Sequence, residues 1–267
     1  MIQFQNINMR LPWLLVLFLL LFAPSSFSFP AIQATPVQND RVVVRPRTIV
    51  IVRRGKIVKE FPEKKRATIK LPVISGLSDA RVLRKVQSIL EIKNVFDTSV
   101  AEYREDNWLE ELDYKVNYNQ NHILDITFSQ SGVGAYPDSQ TKHFAINLKN
   151  GQVIKATDAF IPNKLDTLAA LVKTKFDAEL AQILRELTES KSDPEDIRIA
   201  KEAQEALEFK LSDIDDFSIG DKGVTFLYDA GYPHAIQAFE PNGKYFFSYS
   251  ELKPLIRRDG PLGQFIR

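Results

Sequence analysis

The feature that most constrains the fold is a change of hydrophobic period along the chain. Apolar residues alternate with polar ones in three successive segments, at residues 112–118, 124–128 and 144–148. Residues 165–187 instead repeat apolar positions every three or four residues, the spacing of one helix face. The first pattern predicts half-buried strands and the second an amphipathic helix. We therefore predict an α+β domain over residues 65–267, a mostly antiparallel sheet with helices packed on it.

Shorter patterns give the remaining elements. Ser78 is predicted to cap a helix, and Asp193 with Pro194 is predicted to begin a second long helix. Asn150-Gly151 predicts a tight turn with positive φ angles after the third alternating segment. A short last helix is expected at residues 250–256. Further strands are predicted at residues 67–74, 224–228 and 245–249.

The start of the chain is typical of a secretory signal peptide. Arg10 precedes an apolar run over residues 11–22, and small residues with Pro24 follow it. This run is too short for a membrane-spanning helix, which needs roughly 20 residues. We therefore predict a signal peptide over residues 1–28 and, after its cleavage, an exported protein, periplasmic or secreted, without a stable membrane span. The alternative is that the run stays uncleaved as a membrane anchor. The absence of cysteine excludes disulfide bonds, so the core alone has to supply the stability.

Residues 29–64 are predicted to form a basic lead-in to the domain, with a hairpin in it. We call residues 41–70 the basic arm, because they hold six Arg and five Lys against two Glu, a net charge of +9. Since residues 1–40 are neutral and the whole chain carries +1, residues 71–267 carry 1 − 9, or −8. This asymmetry indicates that the arm lies on its own acidic body or meets an anionic external surface.

The basic arm has a second interpretation, in which its charges only face solvent. The sequence TIVIVRRGKIVKEF has two apolar runs around Gly55, which predicts a hairpin with charged outer faces. Nucleic acid is not an expected partner, because only Phe61 interleaves these charges as a ring on which bases could stack.

A glycine-tyrosine-proline pattern occurs twice at strand ends, at residues 134–138 and 231–234. Glycine permits unusual φ angles, proline stiffens a loop, and tyrosine presents an amphipathic ring suited to sugar or peptide. We predict that the two turns meet on one face and form a binding groove. Alternatively, they only cover the edge of the core. The predicted groove residues are Gly134, Tyr136, Asp138, Tyr228, Asp229, Tyr232 and His234.

Three segments carry a resemblance to a known family: LPVISGLSDARVLRKVQSIL, LKNGQVIKATDAF and KGVTFLYDAGYPHAIQAFEPNGKYFFSYSELKPLI. With the first glycine-tyrosine-proline turn, they make residues 65–257 resemble a bacterial extracytoplasmic domain of unknown function. That domain is found in lysozyme-sensing anti-sigma factors, where it binds lysozyme outside the cell, and at the N-terminus of some polysaccharide deacetylases. Tyr136-Pro137 stands where the family commonly has His-Pro.

The resemblance implies the fold and an envelope setting. Ten residues precede the apolar run, so we expect no cytoplasmic sigma-binding domain, and no metal-binding deacetylase pattern occurs. Sequence motifs for a phosphate loop, a nucleophile elbow or a zinc site are also absent, so we expect no cofactor, metal or catalytic residue. His143 falls on the polar face of the third strand and is predicted to be exposed.

These patterns favour an exported, non-catalytic binding module of the bacterial cell envelope. Its expected partner is an envelope glycan or a glycan-cleaving protein such as lysozyme. One alternative is a hydrolase of envelope polymers that uses Asp138, Asp229 or His234 as acid or base. The other is a structural protein anchored to an anionic surface by the basic arm.

Overall fold

The computed structural model describes residues 40–134 and 136–267. The predicted α+β fold is confirmed, because two largely antiparallel sheets pack against helices. The predicted signal peptide lies outside the described residues. In the described part of the chain, no helix is both long enough and apolar enough to cross a membrane.

The larger sheet has six strands in the order β1-β2-β3-β4-β5-β6. These strands are β1 Val43–Val52, β2 Arg66–Ser75, β3 Leu109–Gln120, β4 Ile123–Val133, β5 Pro137–Asn147 and β6 Gln152–Val153. Neighbouring strands are antiparallel except β2 and β3, which are parallel. A parallel pair needs a crossover connection. Here the crossover contains α2 Ala80–Ile89, α3 Ile92–Phe96 and α4 Val100–Glu105.

The smaller sheet is antiparallel and comprises β7 Phe217–Ile219, β8 Gly223–Leu227 and β9 Lys244–Ser248. The remaining helices are α5 Ala156–Ala159, α6 Leu165–Glu189, α7 Pro194–Glu205 and α8 Tyr249–Leu252. The α6 helix follows the predicted apolar stripe, and its Leu168, Val172 and Phe176 are buried. Asp193 caps α7 as predicted, since its carboxylate accepts a hydrogen bond from the Glu195 backbone N–H.

Strand β4 lies between two cores because its successive side chains point to opposite faces. Ile123 is buried in the core formed with the smaller sheet and α6. Leu124 and Ile126 are buried in the core formed with β1, β2 and α2. The larger sheet is therefore covered on both faces at this end of β4.

The predicted hairpin around Gly55 is wrong. Strand β1 pairs with β2, with Ile51 opposite Ala67, and the chain after Gly55 forms α1 Lys56–Glu60 and a 3-10 turn. The physical reason is burial, because this pairing places Ile51 in the core with 0% of its surface exposed. The boundary that we placed at residue 65 falls between two paired strands of one sheet.

Two turn details also differ from expectation. Asp79, not Ser78, caps α2, because its carboxylate accepts hydrogen bonds from the backbone N–H groups of Arg81 and Val82. Of the predicted Asn150-Gly151 turn, only Gly151 has a positive φ, at 70°. The cap moves by one position, the turn stays at Gly151 with one positive φ angle, and the predicted helix and strand are in place.

The described chain begins beside the β3–β4 turn. The His122 backbone N–H donates to the Asp40 carbonyl oxygen at 2.6 Å, and the Val42 N–H donates to Asn119 Oδ1 at 3.0 Å. This turn precedes Ile123, at one end of β4. The β4–β5 turn follows Val133, at the other end of the same strand.

Candidate functional site

The two predicted glycine-tyrosine-proline turns meet. The ring of Tyr136, in the β4–β5 turn, stacks on the ring of His234, with centroids 4.7 Å apart and an interplanar angle of 24°. His234 is exposed and begins a 3-10 helix. Tyr136 keeps 63% of its surface exposed. We call these two residues the tip pair, and it leaves an open aromatic surface at this end of the larger sheet.

Trp108 supports the turn that carries Tyr136. The Val133 backbone N–H donates to the Trp108 carbonyl at 3.1 Å, and the Gly134 N–H donates to the Tyr136 carbonyl at 3.1 Å. A Cβ atom at Gly132 would lie 2.0 Å from the Trp108 carbonyl oxygen, so this close approach requires glycine. A Cβ at Gly134 would lie 3.4 Å from the Trp108 ring. Backbone contacts therefore fix the turn from below while its tyrosine faces outward.

Two cations of the basic arm are buried beneath this turn. The Lys64 ammonium donates to the Val133 carbonyl, immediately before the turn. The Arg53 guanidinium donates to the Lys64 carbonyl at 3.0 Å and to the Leu109 carbonyl at 2.8 Å. Burial lowers the pKa of Arg53 from its ordinary value. These side chains donate hydrogen bonds to carbonyl groups at or near strand ends, a role that no sequence signal revealed.

The second turn is held by its own acidic residues. Gly231 has a φ of 62°, and its N–H donates to Asp229 Oδ1 at 2.9 Å. The Tyr232 N–H donates to Glu240 Oε1 at 3.2 Å. Burial raises the pKa of the Tyr232 phenol, whose oxygen is buried without a hydrogen-bond partner among the described residues. Asp229 and Tyr232 therefore shape the turn that presents His234.

The structure brings together only part of the predicted groove. Tyr228 packs against Phe176, with ring centroids 4.7 Å apart, and stacks on Phe209 at 5.9 Å. The exposed Asp138 carboxylate accepts a hydrogen bond from the neighbouring Ser139 N–H. Tyr136 and His234 are in ring contact, and Gly134 lies in the same turn as Tyr136. In the described chain, no ring contact or hydrogen bond joins the other four predicted residues to the tip pair.

The prediction that His143 is exposed is wrong. Only 3% of its side-chain surface is exposed, because strand β7 covers this face of the larger sheet. His143 Nε2 lies 2.9 Å from Asp125 Oδ1, and its Nδ1 lies 3.3 Å from Asp216 Oδ1. Burial lowers the pKa of His143, but the hydrogen bonds to the two carboxylates raise it by more, so that the pKa is about 9. The imidazole is therefore a buried cation at neutral pH.

The Asp125 carboxylate is the centre of this buried network. It accepts hydrogen bonds from Asn117 Nδ2 at 2.8 Å, Ser218 Oγ at 3.0 Å and the Ile219 N–H at 2.6 Å. Ser218 donates to Asp125 and not to His143, so these groups do not form a serine nucleophile with its base. The network joins β3, β4 and β5 of the larger sheet to β7 of the smaller sheet. We call these buried hydrogen bonds and ion pairs the polar lock between the two sheets.

Comparison with known proteins gives a likeness of fold. No family model matches the chain, and no curated protein matches it. A solved structure of a DUF3298 family member from Bacteroides fragilis aligns with a TM-score of 0.53 and 14% identity, covering 86% of this chain and 99% of that one. The two proteins share a fold.

A DUF3298 family protein from Pseudomonas aeruginosa aligns with a TM-score of 0.48 and 14% identity, over 81% of this chain and 94% of that one. At this level of identity, neither likeness carries a ligand or an activity to this chain.

Proposed function

We propose that this protein is a non-catalytic binding module that recognises a glycan through the tip pair. The observation that carries the proposal is the exposed stack of Tyr136 on His234. The face of an aromatic ring is apolar and can pack against the C–H face of a sugar ring. The polar groups at the edge of the aromatic ring and the sugar hydroxyls remain in contact with water. The rigid turn beneath Tyr136 supports the proposal further, because a fixed ring loses little entropy on binding.

The proposed setting is the bacterial cell envelope, outside the cytoplasm. Its support is the signal-peptide composition of residues 1–28. In that setting the glycan is an envelope polymer such as peptidoglycan.

A glycan-cleaving protein such as lysozyme is a second candidate partner. It is favoured by the resemblance of residues 65–257 to the lysozyme-binding domain of anti-sigma factors. An exposed tyrosine on a fixed turn is also a common anchor in protein interfaces.

A hydrolase is not favoured by the geometry around His234. The carboxylates of Asp138 and Asp229 each accept a hydrogen bond from a backbone N–H one or two residues away, and in the described chain neither forms a hydrogen bond or an ion pair with His234. General acid and base catalysis needs such groups within reach of one reacting atom. We therefore propose binding and not cleavage.

Co-sedimentation with purified peptidoglycan tests the glycan proposal. The variant Tyr136→Ala/His234→Ala should lose at least about tenfold in affinity, which corresponds to about 1.4 kcal/mol. Tyr136→Phe keeps the ring and should bind like the wild type. The control Phe246→Ala removes another aromatic residue, 48% exposed, from strand β9 and should have no effect.

Thermal unfolding of the same variants separates binding from folding. Because Tyr136 and His234 are exposed, the melting temperature should be unchanged. Equal sedimentation of the double variant and the wild type would contradict the glycan proposal. Release of soluble fragments by the wild type would instead identify a hydrolase.

Titration with labelled lysozyme tests the second candidate. If a lysozyme-like protein is the partner, the wild type should bind lysozyme, and the double variant should bind it at least about tenfold more weakly. Equal binding by both proteins would exclude the tip pair as the lysozyme site.

A further inference from the structure

Among the described residues, strand β1 is an edge of the larger sheet. It ends the strand order and pairs only with β2 among the described strands. The outer N–H and C=O groups of an edge strand are a ready template for another extended chain. Ten residues, Val43–Val52, form this edge.

Exposed apolar side chains are concentrated on the same strand pair. Ten large apolar residues of the described chain are exposed, and four of these are Val43, Val50, Val52 and Val73 on β1 and β2. Natural edges are commonly protected by charge and proline, as β1 is at residues 45–47. Residues 48–52, TIVIV, have neither and have high strand propensity. This half of β1 is therefore an unprotected edge.

The charge of the edge favours an acidic partner. Arg45 and Arg47 are exposed, and no described carboxylate lies within ion-pair distance of either. Residues 41–59 include no acidic residue. The acidic body therefore leaves these two arginines unpaired. A second copy of the chain is disfavoured at this edge, because it would bring two basic arms together.

We propose that β1 binds an extended acidic segment of a partner protein as an added strand. Residues 47–52 offer six positions, about 20 Å of edge, to the main chain of the partner. The exposed Val50 and Val52, two residues apart on one face of β1, contact its alternate side chains. Arg45 and Arg47 pair with acidic residues at its end. This surface belongs to β1, whereas the tip pair lies on the β4–β5 turn and on the segment after β8, so the two proposals stand independently.

Three synthetic peptides test strand addition by fluorescence anisotropy. The first alternates valine and threonine and has two glutamates at each end; the second has lysines in place of the glutamates. The third is the first peptide N-methylated at every residue, which removes the main-chain donors on both of its edges. The glutamate-ended peptide should bind at least about tenfold more tightly than either of the others.

Each other result overturns the proposal. Equal binding of the N-methylated peptide would show that charge acts without strand pairing. Equal binding of the lysine-ended peptide would show that the edge does not select its partner by charge. No binding of any peptide would refute the added strand. Binding to vesicles that contain an anionic lipid, without binding of the glutamate-ended peptide, would assign the basic arm to a lipid surface.

Charge reversal locates the site. Arg45→Glu/Arg47→Glu should reverse the preference, so that the lysine-ended peptide binds more tightly. The matched control Arg81→Glu/Arg84→Glu makes the same change of charge on exposed positions of α2 and should keep the wild-type preference. If both variants shift the preference equally, overall charge and not β1 is responsible.

Discussion

Raising the pH should weaken the polar lock between the two sheets, because His143 loses its proton and its positive charge. The imidazolium lies between the Asp125 and Asp216 carboxylates, at 2.9 and 3.3 Å. When it loses its proton, Asp125 loses its buried cation while it remains 0% exposed. An uncompensated buried carboxylate destabilises the folded state.

The magnitude follows from the pKa of His143. It is raised from 6.5 to about 9, and each pKa unit corresponds to about 1.4 kcal/mol. The charged imidazole therefore contributes at most about 3 kcal/mol to the free energy of unfolding. Because the folded pKa is higher than the unfolded one, this contribution is complete below pH 6.5 and is lost as the pH rises toward 9. Asp216 is partly exposed, so salt screens its share.

Urea unfolding at a series of pH values between 6.5 and 9 measures this loss. The free energy of unfolding should fall across this range in the wild type. In His143→Gln it should be lower than in the wild type at pH 6.5, nearly independent of pH, and close to the wild-type value near pH 9. Asp216→Asn, which leaves Asp125 in place, should show a smaller fall than the wild type. A flat profile in the wild type, or the same slope in His143→Gln, would refute the role given to the imidazolium.

Three further predictions concern stability, and urea unfolding checks each of them. Gly132→Ala should destabilise the protein by about 1–3 kcal/mol, because its Cβ would clash with the Trp108 carbonyl; a neutral effect would show that this turn can move. Phe160→Ala should cost about 3–5 kcal/mol, since Phe160 is fully buried against Phe217 and Phe226. A cost below about 1 kcal/mol would mean that the core refills the cavity. Asp193→Ala should cost about 1 kcal/mol through loss of the α7 cap, and Asp193→Asn should restore most of it.

Elements with a strong local period could be predicted from the sequence. The alternation of residues 112–116 and 124–128 predicts which side chains of β3 and β4 face one core, and Leu124 and Ile126 are fully buried. Tyr118 was predicted on the same face but lies in the other core, because the register of β3 shifts between Val116 and Tyr118. The apolar stripe of α6 is equally local. The meeting of Tyr136 and His234 was also predicted, because the two turns share a composition and stand at strand ends.

Contacts between distant segments could not be predicted in the same way. His143 lies on the polar face of an alternating sequence pattern. That face is buried only because β7 packs against it. Ser218, which donates to Asp125, is 93 positions further along the chain. The packing of Tyr228 could not be predicted for the same reason, since Phe176 and Phe209 reach it from other segments. The β1–β2 pairing competed with a hairpin of similar apolar content, and burial of Ile51 decided between them.

The hydrogen bonds of Asp40 hold the start of the described chain at the β3–β4 turn. Strand β4, 11 residues and about 35 Å long, runs from that attachment point to the β4–β5 turn. Asp40 and Tyr136 therefore lie at opposite ends of β4, so a chemical change at the β3–β4 turn would act about 35 Å from the aromatic surface.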